Sequence, residues 1–210
     1  MIELQHQIWD ICLTGRLSLC PLPEPLRNVL DIGCGTGAWA IDLAKAHPTS
    51  RVVGMDLSSI QPRDVPSNAG FIVGDFTAPW EFDRKFDYIH SRAITIGVRN
   101  WEQLVGDEVW RNLEPGGWVE FQEYHLPWTS DDGSIAKCPK FEQWNREIFR
   151  AAKKAGVTPD AIFQMPDLLE NRGFVKAKTA STKWPIGPWA KDAREKRVGE
   201  LYLRVSGDDR

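Results

Sequence analysis

Three aspartates and one glycine-rich turn are the residues of this chain whose types and spacing could do chemistry. The turn is VLDIGCGTGAWA, residues 29–40, where an apolar run meets Asp31 and Gly33, Gly35 and Gly37 follow at alternate positions. A glycine turn after a hydrophobic strand lets backbone come close to a nucleotide-like ligand. Two parses compete. Gly33, Gly35 and Ala38 fit the dinucleotide pattern G-x-G-x-x-G/A, with Asp56 about 20 residues on, where a ribose-binding acid belongs. The alternative, D-x-G-x-G-x-G, makes Asp31 part of the motif. Charge separates them, because a pyrophosphate at this helix start would face Asp31 at close range. Like charges a few Å apart cost on the order of kilocalories even at an effective dielectric near 20.

S-Adenosylmethionine has no phosphate; it offers a ribose, an adenine amine, a sulfonium and an ammonium. Asp31 suits the cationic amino-acid end, Asp56 can accept from the ribose hydroxyls, and Asp75 from the adenine amine with Phe76 available to pack on the ring. Cys34 in the turn, Leu57 after Asp56 and Ser91 at a later strand end complete the expected cofactor set, with Gly33, Gly35 and Gly37. Aspartates also favour strand ends and turns for local reasons, so any one of them could be merely structural. Three on consecutive strands are harder to dismiss. A nicotinamide oxidoreductase ranks far behind because of Asp31.

The elements that must position these groups follow from periodicity. Ile2, Leu4, Ile8, Ile11 and Cys12 are spaced like a helix, and PLPEPLRN is a stiff connector. Strands are expected at 27–32, 51–56, 69–76, 85–91 and 118–125, the first three ending on Asp31, Asp56 and Asp75. Helices are expected at 38–46, 100–113 (Trp101, Leu104, Val105, Val109 and Leu113 inward), 139–155 and 166–172. EPGG (114–117) reads as a turn, and VKAKTASTKW (175–184) as a sixth strand. Alternation of strand and helix predicts a doubly wound α/β fold, a mostly parallel sheet with helices on both faces. One domain over 1–210 is expected: an N-terminal helix and connector at 1–26, a cofactor-binding core at 27–125, and a substrate-side segment at 126–210.

VLDIGCGTG, GMDLS, VGDF and LEPGGWVEFQE resemble the successive motifs of class I S-adenosylmethionine-dependent methyltransferases. More narrowly, GTGAWAIDLAKAHP, GMDLSSIQP, VPSNAGF, FDYIHSR, EPGGWVEFQE and WPIGPWAKD are similar to the LaeA-like methyltransferases of filamentous fungi. That group includes regulators of secondary metabolism and methyltransferases of natural-product pathways. The resemblance runs from about Leu4 to Asp192 and implies a Rossmann-like fold. It also implies that the chain is short at both ends, with the family's last, antiparallel strand missing. GELYLRVSGDDR (199–210) alternates like a strand at Leu201, Leu203 and Val205, yet equally suits the start of the family's next helix.

Methyl transfer needs a base only when the nucleophile must lose a proton. No nucleic-acid-type amide motif or acidic metal cluster is present in the sequence, and no metal is expected. His125 is the general-base candidate by position; Arg92, Glu123 and Trp128 are candidates for contact with the acceptor. His90, inside a strand, reads as packed or hydrogen-bonded rather than catalytic. Arg92 is as well suited to a surface ion pair as to a substrate acid. The acceptor is expected to be a small molecule or a protein, with a regulatory protein partner as the alternative output.

Composition narrows the setting. Net charge is −3 and the pI about 5.8, so no basic field favours nucleic acid or an anionic membrane. No apolar run is long enough to span a bilayer, and the start lacks a signal-peptide pattern. A cytoplasmic or nuclear location is expected. The four cysteines are scattered without a CxxC pair, so reduced thiols are the default, and Cys34 reads as a small residue tolerated in a turn rather than a reactive thiol. The ten tryptophans read mainly as core or interface material.

Overall fold

A computed structural model of the chain describes residues 2–207. Five strands, β1 (Asn28–Ile32), β2 (Arg51–Asp56), β3 (Ala69–Val73), β4 (Phe86–Arg92) and β5 (Leu113–Gln122), form one parallel sheet in the order β3-β2-β1-β4-β5. The sheet is the doubly wound one expected, because its central strands are apolar toward both faces. On one face Val29, Val52 and Tyr88 pack against Trp39, Ala40 and Leu43 of α2 (Ala38–Ala46). On the other, Leu30, Ile32 and Ile89 meet Trp101, Leu104, Val105 and Val109. Those four lie on a continuous helical run, α3 (Trp101–Gln103), a π-helical stretch (Leu104–Val109) and α4 (Trp110–Asn112).

Helix α1 (Ile2–Cys12) precedes the sheet; α5 (Pro139–Lys154), α6 (Met165–Arg172) and α7 (Ala193–Val205) follow it. One element departs from the periodicity reading, and one is decided between the two readings left open. Residues 175–184 form no strand: the Val-Lys-Ala-Lys alternation has no apolar row for a sheet to cover, and Val175 is 77% exposed. The stretch through Leu201, Leu203 and Val205 is the helix α7. Val198 and Leu201, three apart, bury against Ile8 of α1, and Asp192 caps the start through Arg194 N and Glu195 N, both 3.0 Å. Residues 208–210 of that stretch lie outside the described residues. EPGG bulges out of β5 as a turn would: Phe86 pairs with Leu113, whereas Tyr88, two residues on, already pairs with Trp118.

The connector after α1 is tied to the sheet by one carboxylate. Glu120 Oε2 accepts from Leu19 N (2.9 Å), Cys20 N (3.1 Å), Ser18 Oγ (3.2 Å) and Tyr88 OH (3.2 Å), while Oε1 accepts from Gln122 Nε2 (2.7 Å). Burial pushes the Glu120 carboxyl up, but these hydrogen-bond donors outweigh it and hold it below its usual range. The stability it contributes is therefore present above its unfolded value of 4.5 and lost as pH falls through the lower folded value. Glu120→Gln must turn an NH2 toward donors, and we expect a loss of about 1.5–3 kcal/mol in urea unfolding at pH 7. The acid limb of the variant's stability curve should be shallower than that of the parent.

Candidate functional site

Strand β1 lies between β2 and β4, so the chain's direction of travel across the sheet reverses at β1. Crevices beyond the carboxyl ends of strands at such a point are where open α/β sheets bind ligands. Register sets Asp31 beside His90 and Ile32 beside Ser91. Asp31 is 2% exposed and its Oδ1 is 2.8 Å from His90 Nδ1. The His90 ring is wholly buried and lies flat on Trp39, with centroids 3.6 Å apart and planes 7° from parallel. Ser91 is buried too, and its Oγ has no hydrogen-bond partner.

The three aspartates are not equivalent. Asp31 is inside β1 and buried; Asp56 ends β2, half-buried; Asp75 stands two residues past β3, exposed. Asp56 organises the turn: its Oδ2 accepts from Gly35 N (2.8 Å) and its Oδ1 from Ser58 N (2.9 Å). Gly33 N and Cys34 N both donate to Met55 O, at 2.8 and 3.1 Å. The turn therefore spends the N–H groups of Gly33, Cys34 and Gly35 on the end of β2, and a carboxylate stands where a phosphate would need those donors. Gly33 and Gly37 have φ of 67° and 77°, and a Cβ on either would come within 2.4 Å of Ile94 or Phe71. Exposed Leu57 adjoins Asp56. Asp75 Oδ1 accepts from Thr77 Oγ1 (2.7 Å) and Thr77 N (2.8 Å), which hold its carboxyl below the usual range.

One expectation is corrected and one holds. Phe76 is not available to stack on a ligand ring: at 8% exposure it belongs to the core, under Gly33 and Gly97. The dense turn needs a bulky apolar support, and Phe76 supplies it. Cys34 is the small turn residue expected; burial, then the charges of Asp31 and Asp56, push its thiol far up, which removes any thiolate character.

A cavity of about 70 Å³ lies between the turn and α1, lined by Asp31, Thr36, Trp39, His90 and Arg92 from the sheet side and by His6 and Trp9 from α1. Thr36 Oγ1 and His90 Nε2 are buried without partners. Helix α1 is latched across this cavity by His6, whose Nε2 meets Asp42 Oδ2 (3.1 Å) and whose Nδ1 accepts from Arg92 (3.0 Å). Arg92 also donates to Gln122 Oε1 (2.8 Å) and lies over the Trp9 ring at 5.3 Å. Among the described residues it makes no ion pair. His6, Trp9, Thr36 and Trp39 carry no spacing signal in the sequence and were found only once α1 and α2 were placed.

The other acceptor candidates scatter. Trp128 sits in an aromatic cluster with Phe141 and Trp144, its backbone gripped by Asn145. His125 tilts against Phe163 at 4.9 Å. Glu123 accepts from Ile94 N (2.8 Å), Thr95 N (3.2 Å) and Thr95 Oγ1 (2.8 Å), which fastens the segment after β4 to the end of β5. Among the described residues no group of three or more His, Cys, Asp or Glu could hold a metal ion, and no helix is long and apolar enough to cross a membrane.

Fold and site together define a Rossmann-like α/β chain with a carboxylate-lined crevice at the switch point of its sheet. The chain belongs to the family described as methyltransferase domain, whose profile matches residues 4–177. It is 34% identical to the methyltransferase pytC of Aspergillus terreus over 98% of this chain and 63% of that one, so it spans less than two thirds of that relative's length. It is 30% identical to the secondary metabolism regulator LAE1 of Cochliobolus heterostrophus, over 96% of this chain and 67% of that one. Among solved structures, the phosphoethanolamine N-methyltransferase 2 of Haemonchus contortus in complex with S-adenosyl-L-methionine matches with a TM-score of 0.55. There the identity is 21%, over 81% of this chain and 37% of that one, and the likeness is one of fold.

Glu123 gives a pH test. Burial raises its carboxyl to about 7, against the pull of its three donors. The folded chain then keeps a proton that the unfolded chain releases near 4.5, so the contribution to stability is full below 4.5 and declines as pH rises through 7. Urea midpoints measured from pH 4.5 to 8 should show this decline in the parent chain and lose it in Glu123→Gln.

Proposed function

We propose that this chain is a methyltransferase that takes its methyl group from S-adenosylmethionine and delivers it to an oxygen or nitrogen of a small molecule or a protein. The observation that carries the reading is the turn itself, in which a carboxylate already occupies Gly35 N–H and a second is buried beneath the cavity. That pair of carboxylate acceptors repels a pyrophosphate and fits a nucleoside with a cationic end. Membership of the methyltransferase-domain family and the likeness to pytC support it.

The cofactor, when bound, supplies a methyl group already activated by its sulfonium. The chain's own residues then have three tasks. Asp31 faces the ammonium end across the cavity. Asp56, already rigid through Gly35 and Ser58, has lone pairs left for ribose hydroxyls. Asp75 stands exposed for the adenine amine, with exposed Leu57 forming an apolar edge; Ser91, expected in this set, is buried beside Ile32 and does not line the cavity. Helix α1 excludes water from the amino-acid end. The acceptor would approach from the ends of β4 and β5, where Arg92 lines the cavity and His125 is the candidate for a base; Glu123 and Trp128 are engaged in packing elsewhere.

A second reading rests on the likeness to LAE1: a cofactor-binding regulator that works through a protein partner. Isothermal titration with S-adenosylmethionine and S-adenosylhomocysteine should give saturable binding, and Asp56→Ala should weaken both by about tenfold or more while the chain stays folded. Folded protein that binds neither, or that binds NAD instead, would overturn the cofactor assignment. Transfer of a labelled methyl group to an extract component favours the enzyme; binding without transfer favours the regulator.

A further inference from the structure

His90 holds one buried nitrogen that nothing in the fold uses. Its Nδ1 lies 2.8 Å from Asp31 Oδ1, and a carboxylate there calls for the tautomer in which Nδ1 carries the proton and donates. Nε2 is then a lone-pair acceptor, and it is buried with no hydrogen-bond partner. The ring cannot turn to find one, since the Trp39 indole lies flat against it at 3.6 Å and the Asp31 bond fixes its edge. Residue 90 is fully buried, yet it lines the cavity shared with Asp31 and Thr36. A buried acceptor without a donor is costly unless a ligand or water supplies the donor.

We propose that His90 is a specificity residue for the ligand's ammonium group, with Nε2 accepting one of its N–H bonds while Asp31 balances its charge. The inference rests on the cofactor reading above and adds to it a second acceptor at the amino-acid end. Asp31 spends Oδ1 on His90, so the pair turns acceptors toward the cavity and its single proton toward itself. A group with several N–H donors and a positive charge fits the Asp31–His90 side of the cavity, while donors for the ligand's carboxylate stand elsewhere on the wall, at Thr36 Oγ1 and Arg92. Charge on the cavity wall is otherwise carried by Arg92, which also donates to Gln122 and His6.

The test compares three ligands by isothermal titration: S-adenosylhomocysteine, its analogue lacking only the amino group, and 5′-methylthioadenosine, which lacks the whole amino-acid end. The variant is His90→Asn, whose amide sits near the Nδ1 position and can keep the Asp31 bond but does not reach Nε2. The parent chain should prefer S-adenosylhomocysteine over the deaminated analogue by about tenfold or more, and His90→Asn should shrink that ratio to about threefold or less, with 5′-methylthioadenosine binding unchanged. A ratio that the variant leaves at the parent value would overturn the assignment while sparing the cofactor reading. Failure of folded parent protein to bind any of the three would sink both. If His90→Asn does not fold, nitrogen-15 NMR of the parent decides: the Nε2 resonance should shift with S-adenosylhomocysteine and stay with the deaminated analogue. A shift that is equal with both ligands would overturn the assignment.

Discussion

The parallel pairing of β1 with β4 is the constraint on which the site depends. It sets Asp31 abreast of His90, and the 2.8 Å bond between them lets a carboxylate and an imidazole share the interior of the sheet. A lone carboxylate buried there would be expensive, and the imidazole offsets part of that cost. The Trp39 indole, brought by α2 across the same face, closes the pair against water. Shifting the β1–β4 register by one residue would turn both groups to opposite faces and leave each without its partner.

Beside this pair a separate chain of polar contacts fastens the N-terminal part of the molecule. Asp42 holds His6, His6 receives Arg92, Arg92 holds Gln122, and Gln122 donates to Glu120, which gathers the connector at Ser18, Leu19 and Cys20. Five elements are thereby tied across the ends and one face of the sheet. Apolar packing of Ile8 on Val198 and Leu201 holds α1 from its other side. The cover over the cavity is thus fixed by polar contacts on one flank and by packing of α7 on the other. Glu123 does similar work at the far end of β5, where it anchors Ile94 and Thr95.

Most strands were legible because each is a short apolar run bounded by turn residues, and β1 and β4 are buried on both faces, so their sequences are nearly continuous in hydrophobicity. The helix at 101–112 was legible from the spacing of Trp101, Leu104, Val105 and Val109, although nothing in that spacing signals its π-helical middle. One periodicity misled, the alternation in 175–184, which no sheet edge covers; at Leu201–Leu203–Val205, where strand and helix were both open, the i, i+3 pairing of Val198 with Leu201 on Ile8 decided for the helix. At the site, the glycines and Asp31 and Asp56 were readable from local pattern. Phe76 was misplaced because adjacency to Asp75 in sequence says nothing about which side of the turn its ring fills.

The sequence by itself determined the order of strands and helices, the glycine turn and the presence of carboxylates near the strand ends. These depend on residues close together along the chain, where backbone sterics and side-chain period act directly. Only the tertiary structure decided that the three carboxylates differ, one buried against His90, one bracing the turn, one exposed. It alone also brought His6, Trp9 and Arg92 over the cavity, from positions more than eighty residues apart in the chain. Burial and hydrogen-bond partners are properties of the packed whole, set by which faces of distant elements meet, and no local pattern encodes them.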